Sequence, residues 1–506
     1  MTATQGLPRW LLIYGLILPL AVFLGYLVAI PTTFVSVVFV SAVILVLAFP
    51  LFLRWHHAWV IFGWNAALIF YFAPGQPNLG IVLAAGSLML SVLQRTMRNK
   101  ETFIRVPSVA NSVIFIGLVA AVTAGLTGGI GGRALGTEGW GAKRYLGVFG
   151  AVIGYFAIVA KAVPKEKAVR YASMFTLSGI TSALCDMIYL AGPKFYFLFA
   201  LFPSNVAMVQ VTTQTGLERL SGIAFGAVSA WSFMLLRYGI RGTFDLRRPW
   251  RIFFFLLFIA LSLLGGYRSL LIIPVILLPV QFYFEGLFKG RWLIPVALAS
   301  SLMACGVAAF SDKLPLSVQR SLSFLPIRID PTARTDAQGT VEWRLQIWRV
   351  VVPEIPRYLL LGKGFTYSGT DYYLTEEAIR RGIYVQDVYE GALIAGDYHQ
   401  GVLTILMPFG IWGMIGFVWS CWASLRVLYL NHRHGEERLK LVNTFLISNF
   451  VARLIFYVFF YGQFEQDFPI FVGIIAASIS LNGGVCTDKT PLKDEDVSAL
   501  PEPALT

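Results

Sequence analysis

The chain is short of charge. Only 13% of its 506 residues are Asp, Glu, Lys or Arg, against about 25% in soluble domains. Cysteine is also sparse. Cys185, Cys305 and Cys421 lie in apolar runs and Cys486 lies in the tail. No two of them have metal-ligand spacing, so there is no disulfide framework and no zinc site to read. The phosphate-cradling Walker loop, the HExxH helix and the GxSxG elbow are all missing. An ATP-driven transporter and a zinc protease are therefore disfavoured.

What is present is apolar sequence, 57% of the chain. Runs of about 18 or more apolar residues recur from end to end, each long enough to cross a hydrocarbon core of roughly 30 Å as a helix. Spans are expected near 10–30, 33–53, 57–73, 79–95, 107–126, 145–163, 172–192, 218–236, 252–266, 270–285, 291–310, 401–424, 440–461 and 467–483. The fold class is an all-α polytopic membrane protein with about 12–14 transmembrane helices. The first run is too long for a signal h-region and is read as a span. The Phe195–Phe202 stretch is too short to cross; it lies at the interface or re-enters.

The net charge of +13 would suggest nucleic acid in a soluble protein. Here the basic residues sit in short loops between spans, where they are topology signals and headgroup contacts. Alternate loops are rich in Lys and Arg, as in Arg95–Arg105, Lys161–Arg170, Arg237–Arg251 and Arg426–Lys440. That alternation predicts cytoplasmic termini and an external loop at 311–400, periplasmic for a bacterial inner-membrane protein. The expected organisation is an N-terminal bundle (1–310), the loop (311–400), C-terminal helices (401–483) and a disordered cytoplasmic tail (484–506).

Within the loop, Thr340 is expected to cap a short helix beginning at Val341, with Glu342 in its first turn. Trp343 to Arg349 is amphipathic, and Pro353 and Pro356 end it. The Gly362-Lys363-Gly364-Phe365 turn and a Tyr-rich stretch, Tyr367 to Tyr389, follow. The loop is read as a lid on the bundle.

Four residues are candidates for chemistry. His399 lies where the loop re-enters the membrane; the other histidines, His56, His57, His432 and His434, fall on the predicted cytoplasmic side. An imidazole there can accept a proton; a surface or helix-capping role is the plain alternative. Arg268 lies in the turn between two short spans, either to meet an anion or to snorkel to headgroups. Arg344 on the loop helix suits phosphate, with a solvated face as the alternative. Arg219 is a fourth; pairing with Glu218 or headgroups is its simpler role. Asp186 is a lone intramembrane carboxylate that would mark an ion path in a transporter.

The sequence from Val341 to Trp419 reads RLQIW, then LLLGKGF, then DYHQGVLTILMPFGIWGMIGF, with GYRSLLI around Arg268 and RLSGIAFG at Arg219 further upstream. In order and topology these resemble the O-antigen ligase and polymerase family of bacterial envelope glycan assembly. Gln400 stands where that family usually has Asn, and Pro408 where an acidic residue is common. The resemblance implies a GT-C-like membrane glycosyltransferase that needs no metal or other cofactor. It would move a glycan from an undecaprenyl diphosphate-linked donor to a glycan or lipid acceptor, alongside other polysaccharide-assembly proteins. It implies that His399 assists the acceptor hydroxyl and that Arg268 and Arg344, with Arg219, bind the diphosphate. The alternatives are a polysaccharide or lipid-linked glycan transporter and a non-catalytic assembly partner.

Overall fold

A computed structural model of the chain describes residues 18–23, 25, 34–71, 75–98, 103–128, 139–203, 219–288 and 293–365, scattered positions from 367 to 393, and 396–487. The expected span at 10–30, the 204–217 segment, the Tyr-rich stretch and the tail beyond 487 fall wholly or mostly outside the described residues. The chain divides into two compact units, Met1–Trp59 and Val60–Thr506. The described part of the first is helical.

Described residues are almost all helical; a two-residue antiparallel pair joins Gly139–Trp140 to Tyr367–Ser368. Eight helical stretches are long and apolar enough to cross a membrane: Leu79–Met97, Pro107–Thr127, Ala142–Val159, Lys165–Ala191, Ser221–Thr243, Leu403–His434, Glu437–Phe459 and Phe464–Asn482. Three apolar helices are shorter: Pro249–Gly265, Ser269–Phe284 and Val296–Ala309. Their apolar sides have no use for water, which is the composition a bilayer solvates.

Two expectations about boundaries are corrected. The 33–53 and 57–73 spans are two helices that meet at a kink, with non-helical torsions at Trp55, but the second ends at Gly63, ten residues early. After it the chain is extended, and its backbone groups find partners elsewhere. Ala67 N donates to Thr181 Oγ1 (2.9 Å), Ile69 N to Leu201 O (2.7 Å), and Phe70 N to Pro77 O (3.0 Å). Hydropathy cannot separate a buried extended run from a helix when both satisfy their backbone internally.

The second correction concerns the loop helix. It runs Pro331–Val351, ten residues longer at its start than expected. Asp330 is the N-cap, accepting from Thr332 N at 2.7 Å, and Pro331 occupies the first helical position, where a missing N–H costs nothing. Thr340 therefore lies mid-helix, and its hydroxyl donates back to Asp336 O at 3.0 Å.

Small residues allow the closest approaches in the bundle. Trp64 fills the space above Gly154 and Gly473, where an added Cβ would lie 1.9 and 2.2 Å from the indole. The indole Nε1 donates to Pro469 O at 3.1 Å. At one end of the bundle, Asn431, Asn443 and Asn482 tie the last three helices together. Asn443 Nδ2 donates to Asn431 O and to Asn482 Oδ1, both at 2.9 Å. Such amide bonds are the glue available where burial of apolar surface does not favour one helix contact over another.

The opposite end carries the loop. Leu263, Val318 and Leu322 form one small apolar cluster there. Ile347, Val351, Tyr398, Leu403 and Met407 form another. The first seats the short helix Leu316–Ser321 against the 263–265 turn, and the second seats the loop helix against the start of Leu403–His434.

The turn Leu359–Gly364 docks on a break in Leu403–His434. Pro408 and the non-helical torsions of Gly410 interrupt that helix's hydrogen-bond ladder. The groups released are taken by the turn: Lys363 N donates to Met407 O (2.7 Å), Gly364 N to Pro408 O (3.0 Å), and Ile411 N to Leu359 O (2.6 Å). Gly362 and Gly410 both have positive φ, and a Cβ would lie 2.1 Å from Pro408 O and 2.5 Å from Leu359 O respectively. Gly362→Ala and Gly410→Ala are each expected to destabilise the protein by roughly 2–3 kcal/mol, read as a fall in unfolding temperature in detergent. Gly306→Ala, with open space around it, is the control that should hold its Tm.

Candidate functional site

The loop helix organises the site. Asp336, Thr340 and Arg344 recur every four residues and so share one face. Asp336 is the hub. Arg320, from the short helix Leu316–Ser321, pairs with it through Nε, and Arg219 Nη2 reaches the same carboxylate oxygen at 3.4 Å. The three side chains are 6–11% exposed, so this is a buried triad, costly to break at any one member. Arg320 spends its remaining donors on Gly266 O and on Thr340 Oγ1 (2.9 Å). It thereby ties the 263–268 turn to the loop helix.

Arg268 comes from that turn and donates Nη2 to Ala337 O. Arg344 lies two turns further along the helix. Its Nε is buried without a hydrogen-bond partner among the described residues, and its guanidinium lies 5.7 Å from the Tyr461 ring centroid. Burial lowers the pKa of Arg268, as do the nearby charges of Arg320 and Arg344, against the pull of Asp336. Burial likewise lowers that of Arg344, with Tyr461 and Asp397 opposing, and that of Arg219, where Arg320 adds to the effect. Three guanidinium groups thus gather around Asp336, and the fourth, Arg344, lies nearer Asp397. An anion would relieve both the desolvation and the mutual repulsion.

His399 borders this cluster. Its ring meets Trp343 edge-on with centroids 4.6 Å apart, and Tyr461 at 5.2 Å. Tyr461 therefore touches both His399 and Arg344. Its phenol is raised above its ordinary pKa by burial and by the carboxylates around it. His399 Nδ1 lies 2.7 Å from Asp397 Oδ1. Burial alone would raise the Asp397 pKa, but the hydrogen bond and charge of His399, with Gln463 and Arg144, hold it below the ordinary carboxyl value. With Nδ1 turned to Asp397, Nε2 is the ring nitrogen left for another partner.

The backbone around His399 is constrained. Its φ is 52°, in the left-handed region that costs a side-chain-bearing residue about 1 kcal/mol or more. Three anchors hold this conformation. Arg144 Nη1 donates to Gly396 O (3.0 Å), Trp348 Nε1 to Tyr398 O (2.9 Å), and Gln400 Nε2 to Val458 O (3.2 Å). Gln400 Oε1 also accepts from Leu403 N at 2.7 Å, at the start of the following helix.

All four expected residues are brought together along the loop helix. Arg268 and Arg344 are both half-buried, and each faces other cations. Arg219 pairs with Asp336; its expected neighbour Glu218 lies outside the described residues. Asp186 takes a structural role: Ile223 N donates to its Oδ2 at 2.7 Å, capping the Ser221–Thr243 helix from a neighbouring segment. Sequence reasoning missed Arg320, Asp336, Asp397 and Tyr461. Only Asp397 offered a signal, two residues before His399 in the same short turn. No protein-family model matches the chain, and no curated protein matches it.

Proposed function

We propose that the chain is an inverting membrane glycosyltransferase acting on an undecaprenyl diphosphate-linked glycan donor at the loop-bearing end of the bundle. It is a polymerase or ligase of envelope polysaccharide. The observation that carries this reading is the convergence of the His399–Asp397 pair with Arg344 on the shared Tyr461 ring, with Arg268 bonded to the same loop helix. The likeness of the RLQIW, LGKGF and DYHQG segments to the O-antigen ligase and polymerase family supports the same reading.

The proposed reaction has two demands, and the site meets each with a different group. The bond between the donor's anomeric carbon and the diphosphate oxygen breaks as the acceptor oxygen bonds to that carbon. The acceptor's proton passes to His399 Nε2, with Asp397 holding the ring and balancing its new charge. The electron pair leaves with the diphosphate, whose developing charge meets Arg268 and Arg344. A base on the opposite face of the sugar from the leaving group gives inversion. Arg320 and Asp336 act at one remove, by fixing where these arginines stand.

The test uses purified full-length protein in nanodiscs with a polyprenyl diphosphate-linked oligosaccharide and an acceptor glycan. Wild type is expected to form product, and Arg344→Ala to form it about 10²-fold more slowly. No product from any wild-type preparation across donors, or equal rates in the folded variant, would overturn the assignment. Product length separates repeated polymerisation from single transfer.

A further inference from the structure

The end of the bundle away from the loop carries a cleft with a basic lining. A cleft of about 340 Å³ opens between the ends of three helices, lined by Tyr283, Phe284, Tyr429, His432, Arg433 and Lys440. Two of these six are cations and none is a carboxylate. Lys440 gives one hydrogen to His432 O at 2.7 Å, leaving two N–H donors. Arg433 is exposed.

Three carboxylates lie near the cleft in sequence, Glu285, Glu436 and Glu437, but none lines it. Glu285, next to Phe284, accepts from Ile240 N and Gln281 Nε2 at 2.7 and 2.8 Å. Glu436 pairs with Lys165. The aromatic walls point the same way. Tyr283 is 68% and Tyr429 46% exposed, at the ends of apolar helices, where amphipathic rings sit at headgroup level. His432 is fixed edge-on to Phe284 and bonded to Thr444 Oγ1 at 3.1 Å, so the floor of the cleft is ordered. A phosphate with an apolar attachment fits this lining. Its oxygens meet Arg433, Lys440 and the phenols, and its hydrocarbon runs along the helices.

We infer that this cleft binds the phosphate of an anionic membrane phospholipid, independently of the chemistry at the loop end. Basic pockets between transmembrane helices recognise such headgroups through charge and position.

The experiment is native mass spectrometry of the full chain released from micelles containing phosphatidylglycerol or phosphatidylcholine. Phosphatidylglycerol adducts are expected to survive preferentially in wild type. They should fall about fivefold in Arg433→Gln and further in Arg433→Gln/Lys440→Gln, each cation contributing a similar factor. Arg433→Lys should retain most of the binding. Arg433 is exposed, so the single variant remains informative if the double variant does not fold. Equal retention in wild type and Arg433→Gln would overturn the inference. So would equal retention of the two lipids. Displacement of phosphatidylglycerol by inorganic phosphate would assign the site to free phosphate and overturn the lipid assignment.

Discussion

His399→Ala is expected to lower the transfer rate by roughly 10²–10⁴-fold, with donor binding nearly unchanged. The reason is a division of labour. In the proposed reaction the donor's diphosphate meets Arg268 and Arg344, while His399 contributes only when the acceptor hydroxyl loses its proton. A residue that acts in the transition state lowers kcat and kcat/KM together, whereas loss of an arginine also weakens donor binding. Asp397→Asn separates chemistry from folding. An amide cannot balance the charge of a protonated ring as the carboxylate does, so the rate should fall while the fold is kept. Measurement of kcat and KM for both variants, with Tm in parallel, decides the matter. Normal turnover in a folded His399→Ala protein would remove the base from the mechanism.

Asp336→Ala is expected to cost about 3–5 kcal/mol of stability, the largest structural effect of any single change at the site. It would leave Arg219 and Arg320 buried at 7% and 6% exposure without the carboxylate between them. It would also release the link by which Arg320 ties Gly266 O to the loop helix. Thr340→Val removes the acceptor of one Arg320 hydrogen bond and the hydroxyl's own bond to Asp336 O, and should cost nearer ~1–2 kcal/mol. Replacing Arg219, Asp336 and Arg320 together by apolar residues of similar volume should restore stability while leaving transfer impaired. Thermal unfolding of the three proteins in one detergent tests the series. An Asp336→Ala protein as stable as wild type would mean that the triad is not a structural hub.

The apolar spans were legible because hydropathy over a helix length is a local property. The segments 107–127, 142–159 and 440–459 lie close to where periodicity and length put them. The 57–73 run failed because its extended half is equally apolar and is stabilised by Thr181 and Leu201, far away in sequence. The start of the loop helix was misjudged for a related reason. Thr340 is a good cap residue, but so is Asp330, and the latter is followed by Pro331. At the site, Arg268 and Arg219 were readable where they border apolar sequence, and Arg344 through the amphipathic pattern of its helix. Arg320 and Asp336 were not, since they sit in a polar loop where nothing marks them until folding brings them together. Asp397 was adjacent enough to be seen but only the bend at His399 turns its carboxylate onto the imidazole.

The break at Gly410 bears on how the chain is made. Met407, Pro408 and Ile411 present backbone groups that a lipid-exposed helix cannot leave unsatisfied. Their partners, Leu359, Lys363 and Gly364, belong to an earlier stretch of the chain. Synthesis proceeds from the N-terminus, so the docking turn has already been made when the interrupted helix emerges. A chain with the two segments in the reverse order would have to insert that helix with its break uncovered. Biogenesis, as well as the folded state, therefore favours a loop that precedes the helix it completes.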